Sequence, residues 1–214
     1  MGSLAYDSAK GEIFAGETNE TSAACDIAVI SDQTNQTVTT IPVSNLLGSL
    51  VYDSGKGEIF ALIGSAIDVI SDSSNKVVAT IPISDLTIES YMAYDSGKGA
   101  IYINEGSEVL IISDSTNTLA GTVNDNGTAS ELNGGLGGVT YDSGTGTIYA
   151  INNGGLDAIP GSLAVIPDSI IQEFSSIALI LALVCVTSAI VFAARKLPRR
   201  RNSARMLKQA DMKS

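Results

Sequence analysis

Short apolar runs rich in β-branched and aromatic residues alternate along this chain with clusters of turn formers, and the alternation repeats. Between residues 48 and 83 four runs of strand length follow one another: GSLVYD from Gly48, EIFALI from Glu58, AIDVISD from Ala66 and KVVATIPI from Lys76. SGKG and SSN stand between them, residue types that hairpin turns use, so this stretch predicts four strands in succession. Tyr-Asp-Ser recurs at Tyr6, Tyr52, Tyr94 and Tyr141, at spacings of 46, 42 and 47 residues. Each copy leads into the same order of runs: IAVISD at Ile27, IDVISD at Ile67, VLIISD at Val109 and LAVIPD at Leu163. TVTTIPVS, KVVATIPIS and TLAGTVND follow the first three, whereas the fourth copy has no such last run. A period of about 40–50 residues with four strands per unit predicts β-propeller blades, each burying its faces against its neighbours. The expected fold is therefore all-β, with three full blades and one partial starting near residues 2, 48, 90 and 137, in a small or open propeller over residues 1–168.

The pattern breaks after residue 168. A linker, 169–176, leads to Ile177–Ala194, IALILALVCVTSAIVFAA, eighteen positions without a charge, long enough for a membrane-spanning helix. Ten of them are Ile, Leu, Val or Phe; on the insertion scale these contribute about −3 to −6 kcal/mol, more than Thr187 and Ser188 cost. Arg195, Lys196, Arg199, Arg200 and Arg201 follow at once. Such a cluster is retained in the cytoplasm, so 195–214 reads as a cytoplasmic tail and the repeat region as an ectodomain outside the cell membrane.

Charge sharpens this division. Residues 1–194 hold four basic and 22 acidic side chains, a net −18, against eight basic and one acidic, a net +7, in residues 195–214. An acidic body repels phosphate backbones, which argues against nucleic-acid binding. The chain has no His and no Trp, and two Cys, Cys25 and Cys185. Imidazole chemistry and a disulfide scaffold are thereby excluded, and both cysteines read as small apolar packing residues.

Other motifs carry less. Asn19, Asn35 and Asn126 each head an Asn-X-Thr triplet in an expected loop or turn and are candidate N-glycosylation acceptors. Gly55-Lys56-Gly57 and Gly97-Lys98-Gly99 lack the Ser or Thr and the following helix of a phosphate loop, and read as turns in which Asp caps the bend and Gly takes positive φ. Gly134–Gly138 precedes a strand and reads as a loop, since a dinucleotide fingerprint needs a strand before it and a helix after. Asp125, Asn126 and Glu131 offer the oxygen types calcium takes, but without the register of a calcium loop. The recurring aspartates, Asp7, Asp53, Asp95 and Asp142 in one column and Asp32, Asp72, Asp114 and Asp168 in another, read as turn formers and not as catalytic pairs.

The pattern YDSGKGEIF followed by DVISDSSNKVVATIP, over residues 2–168, resembles the YVTN family of β-propeller repeats of archaeal surface-layer proteins. Gln172-Glu173-Phe174-Ser175, with the span and basic end behind it, resembles a PEF-type archaeosortase sorting signal, in which Glu173 and Phe174 match and Gln172 stands in the place of proline. That resemblance implies cleavage near Glu173 and transfer to a lipid anchor. The YVTN resemblance implies that first strands lie at the axis and that ligands meet one face of loops: Pro42–Leu47, Pro82–Ser90 and Asn124–Gly137, with Gly16–Ala24 and Asn152–Gly161. It further implies about seven blades. Since Gly2–Ser8 nearly repeats Gly48–Ser54 and no signal peptide precedes it, the expectation is a piece of a longer protein.

Together these readings describe a single-pass, membrane-anchored surface module, a glycoprotein meeting other surface proteins or glycans through loops that vary on a repeated scaffold. No catalysis, cofactor or metal is expected. The competing readings are a lactonase-like or quinoprotein-like propeller enzyme, for which no unrepeated cluster of acid or base residues stands out, and a non-functional fragment.

Overall fold

The turn residues that punctuate the sequence close hairpins of one shape in every copy. In a computed structural model, residues 3–18, 25–84, 86–105, 108–124, 137–152 and 162–167 are described. They form β1 (Leu4–Asp7), β2 (Glu12–Thr18), β3 (Cys25–Ser31) and β4 (Gln36–Val43) in a first sheet, and β5 (Leu47–Asp53), β6 (Glu58–Ile63), β7 (Ala66–Ser71) and β8 (Lys76–Pro82) in a second. A third holds β9 (Tyr91–Asp95), β10 (Ala100–Asn104), β11 (Glu108–Ser113) and β12 (Thr118–Asn124). The fourth has three strands among the described residues, β13 (Val139–Asp142), β14 (Thr147–Asn152) and β15 (Ser162–Pro167). Every pairing is antiparallel between sequence neighbours, so each sheet is a meander.

Two turns recur. After each first strand the N–H of Gly11, Gly57, Gly99 or Gly146 donates to the carbonyl of the Asp four residues before it, with φ between 63° and 68°. After each third strand Asn35, Asn75 or Asn117 takes the left-handed conformation at φ 52° to 54°, and its N–H donates to the carbonyl of Ser31, Ser71 or Ser113. Asn tolerates that region better than other residues with a Cβ.

The first strands line up side by side, β1 beside β5, β5 beside β9 and β9 beside β13, with no comparable packing from β13 back to β1. Ser hydroxyls stitch two of these junctions: Ser3 Oγ accepts the N–H of Leu50 at 2.8 Å, and Ser49 Oγ that of Met92 at 3.3 Å. Alternate residues of a strand face opposite sides, and in the inner sheets both sides are buried. Ile59, Ala61 and Ile63 of β6 pack with Phe14, Ile27, Val29 and Ile41 of the first sheet. Phe60 and Leu62 of the same strand pack with Met92, Ile101 and Ile103 of the third. Ala100 and Tyr102 of β10 in turn meet Ile148 and Ala150 of the fourth. Each such side chain contributes roughly 1.5–3 kcal/mol on full burial, so the cohesion of the array lies between sheets.

The outermost strands carry a bulge at one register position. Val29 pairs with Thr39 and Ile30 with Thr37, leaving Val38 over; Val78 and Ala120 are left over likewise in β8 and β12. A bulge there twists an unpaired edge away from foreign strands. The same edge accommodates Pro42 and Pro82, which lie in β4 and at the end of β8, as the runs TVTTIPVS and KVVATIPI imply, and so fall just before the loops whose expected ranges began with them.

All the described residues fall within one compact unit, Met1–Gln172. The expected span 177–194, linker 169–176 and tail with Arg195, Lys196, Arg199, Arg200 and Arg201 lie outside the described residues. Among the described residues no helix is long and apolar enough to cross a membrane.

Candidate functional site

The two ends of the sheets differ in kind. At one end the connections are uniform: 8–11, 54–57, 96–99 and 143–146 join first strands to second, and 32–35, 72–75 and 114–117 join third to fourth. At the other end the copies disagree. Residues 44–46, 83–90 and 125–138 lead from sheet to sheet, and 19–24, 64–65, 105–107 and 153–161 join second strands to third.

The uniform end is built from aspartate. Asp7 Oδ1 accepts the N–H groups of Ala9 and Lys10 at 2.9 and 3.1 Å, Asp53 those of Gly55 and Lys56 at 2.8 and 3.1 Å, and Asp95 those of Gly97 and Lys98 at 2.8 and 3.1 Å. Asp142 accepts the Gly144 N–H and, through Oδ2, the Thr145 hydroxyl, both at 2.8 Å. The first column thus caps its turns. Gly55 and Gly57 lie in a hairpin between strands, so the phosphate-loop reading is excluded by the fold as well as by the motif.

The second column does something the sequence reading missed. Asp72 sits over Gly57 of its own sheet and faces Asp7 of the sheet before; Asp114 sits over Gly99 and faces Asp53. Tyr52 and Tyr94 lie at the same two joints against Asp7 and Asp53. Lys10 donates to the backbone carbonyl of Asp72, and Lys56 to that of Asp114. Each joint is therefore a lock whose halves come from neighbouring blades. Oδ2 of the fully buried Asp7 and Asp53 accepts no hydrogen bond of normal geometry, so the groups facing it act through charge and proximity. Burial pushes the Asp114 carboxyl up to about 6, with the Asp53 charge adding and Lys56 opposing. Asp72 is raised by burial, against Lys10 and with Asp7; Glu58 is raised by burial, against Lys56. The phenols of Tyr52 and Tyr94 are raised by burial first and by their aspartates second. The available signals were the Lys recurring at 10, 56 and 98 and its replacement by Thr145 in the fourth copy. Acidic groups of different blades thus meet in pairs at joints, and among the described residues no group of three or more is placed to hold a metal.

At the variable end a cleft of about 50 Å³ runs between Ser3, Gly48 and Ser49 on one side and Ile88, Glu89, Ser90 and Tyr91 on the other. Ser90 donates its hydroxyl to Glu105 and lies 3.3 Å from the Thr87 hydroxyl. Small-molecule pockets run to roughly 300–1,000 Å³, so this cleft is too small to be one. Farther along, the buried Asn104 donates to the carbonyls of Gly137 and Ile151, each at 3.0 Å, and ties the third sheet to the fourth.

Of the candidate residues, Asn35 is exposed in the β3–β4 turn, in the left-handed position that Asn75 and Asn117 share without the triplet. Its first role is thus in the turn. Cys25 is a free thiol buried in the core, as expected for a packing residue. Asn19, Asn126, Asp125, Glu131, Asp168, Glu173, Phe174 and Cys185 lie outside the described residues, as do Gly134 to Leu136.

No family model matches the chain, and no curated protein does. Its fold is widely shared, since 602 chains of solved structures match it. One is Kuenenia stuttgartiensis hydrazine synthase, at a TM-score of 0.64 and 9% identity, over 78% of this chain and 46% of that one. The likeness is one of fold alone. With the four-stranded antiparallel sheets it fits a β-propeller, and this chain spans about half the length of that neighbour.

Proposed function

We propose that this chain is a membrane-anchored cell-surface module that binds other surface proteins or glycans through the variable end of its blades and performs no catalysis. The observation that supports it most is the contrast between the ends: seven connections of four residues at one, and connections from two to fourteen residues long at the other. A repeated scaffold with uneven loops on one face is how binding surfaces are elaborated without disturbing a core. The charge-free stretch 177–194 and the basic residues behind it supply the anchor and orientation in this reading. Its finer parts are an open propeller of YVTN type, N-glycans at Asn19, Asn35 and Asn126, and an archaeal sorting signal at Glu173 and Phe174.

The test is protease protection on intact cells carrying the full chain with a C-terminal epitope, followed by peptide mass spectrometry. Loss of the repeat peptides to external protease, with glycans on the three asparagines, supports the module. A repeat region that stays protected while the epitope is digested sinks it.

A further inference from the structure

The inner sheets bury both faces, but the first and the fourth each leave one uncovered among the described residues. Leu4 is 70% exposed and Tyr6 53%, and Ile13, Ala15 and Ile30 of the same sheet are only half-buried. On the fourth sheet Ile151 is 47% exposed and Val165 54%, and Tyr149 is half-buried. A hollow of about 180 Å³ lies on that face beside Val139, Tyr149 and Ile151. The two faces do not cover one another within the chain.

Their residue types identify what covers them. At the register positions where the second sheet presents Leu50, Tyr52, Ile59, Ala61 and Ile70 to the first, the first sheet presents Leu4, Tyr6, Ile13, Ala15 and Ile30, the same five types in the same order. The partners that receive the second sheet include Phe14 and Val29; the fourth sheet offers Tyr149 and Val165 at those two positions. The chain thus carries both halves of one more joint, one at each end of its arc. The polar groups match in part. Tyr6 has no preceding aspartate and donates to its own Asp32 at 2.9 Å, and Asp142 stands at the far end, where Thr145 occupies the position of the joint lysine and bonds Asp142 instead.

We infer that a second copy of this chain docks head to tail on both uncovered faces, so that two four-sheet arcs close into one ring. The occupant is set by continuity with the joints already formed, which join faces of this composition within the chain. An interface made of two different patches closes only if the rotation returns on itself, which for two copies requires each four-sheet arc to supply half of the ring. Two arcs give about eight blades, within the range of propellers.

The test is the protein mass of the full chain in detergent by sedimentation velocity. Twice the 22.0 kDa of one chain is expected. Leu4→Glu and Val165→Glu, both at exposed positions, each reduce the mass to one chain with unchanged far-UV circular dichroism, whereas Val78→Glu, on the bulge of β8, leaves two. Mixing Leu4→Glu with Val165→Glu restores a fraction of two-chain species, because one joint of the mixed pair is intact; a folding defect gives no such recovery. A one-chain mass for the wild type, two-chain species in both face variants, or no recovery on mixing overturns the proposal.

Discussion

The hydroxyl of Tyr94 crosses the joint between the second and third sheets and lies 2.7 Å from where a Cβ on Gly55 would stand. Two residues on, a Cβ on Gly57 would lie 2.5 Å from the Asp72 carboxylate, and there the backbone is also left-handed at φ 68°. The two glycines of one turn thus serve different partners, one in the next blade and one in its own.

Gly57→Ala therefore carries backbone strain of roughly 1–2 kcal/mol, besides displacing Asp72. At ~2–4 °C per kcal/mol for a unit of this size, its melting temperature falls by about 2–8 °C. Gly55→Ala costs less, since Ala9 already occupies the matching place in the first copy. Gly138→Ala, with nothing within 4 Å of the new Cβ, leaves the melt unchanged. Thermal melts of the three in parallel check the order.

Asp114 gives stability a pH dependence of definite sign. Its carboxyl titrates at about 6 in the folded chain against roughly 3.9 unfolded, so between those values the folded state holds more protons. The stability this group contributes is therefore fully present below pH ~4 and is lost as pH rises through 6, while Asp142, held low by Thr145 and Gly144, contributes with the opposite sign at the acid end. Asp53 and Glu58 face the same group and Lys56 opposes them, while Asp72, also raised, adds a contribution of the same sign. Melts from pH 4 to 7 show a decline that Asp114→Asn makes shallower, with a gain in stability at pH 7.

Lys56→Met removes the ammonium from the Asp114 carbonyl, and with it the positive charge that opposes the raised pKa of Asp114 and Glu58. The side chain is exposed, so the loss at neutral pH is about 1 kcal/mol. It shrinks at pH 5, where more of Asp114 is protonated. Denaturant titrations at the two pH values measure the difference, and an equal loss at both assigns the lysine a packing role only.

Phe60 is fully buried between the second and third sheets, and Phe60→Ala costs roughly 3–5 kcal/mol. Val78→Ala, on an exposed bulge, stays within about 0.5 kcal/mol. Urea titration of both shows whether cohesion resides in the joints.

Strands and turns were legible in the sequence because their chemistry is local. Each Asp sits beside the N–H groups it caps and each left-handed turn position holds its own Gly or Asn, so YDSGKG and SDSSN give themselves away in any one copy. The joints were not legible. Lys56 and the Asp114 carbonyl are 58 residues apart in sequence, and one column of aspartates looks like the other until the sheets stand side by side. Pro42 and Pro82 read in the sequence both as the ends of strand runs and as the first residues of loops; they lie in the strands, because an outermost strand does not need the missing N–H. The uncovered faces were hidden too, since Leu4 and Leu50 are the same residue in the same motif and differ only in having a neighbour.

The first two joints draw their Asp and Lys from one blade and their Tyr and second Asp from the next. A gene segment of one period with this set therefore encodes the trailing half of one lock and the leading half of another, and two such segments in tandem are compatible. Unequal recombination in frame lengthens or shortens such an array without a compensating change elsewhere, leaving selection free to act on the loops of each copy separately.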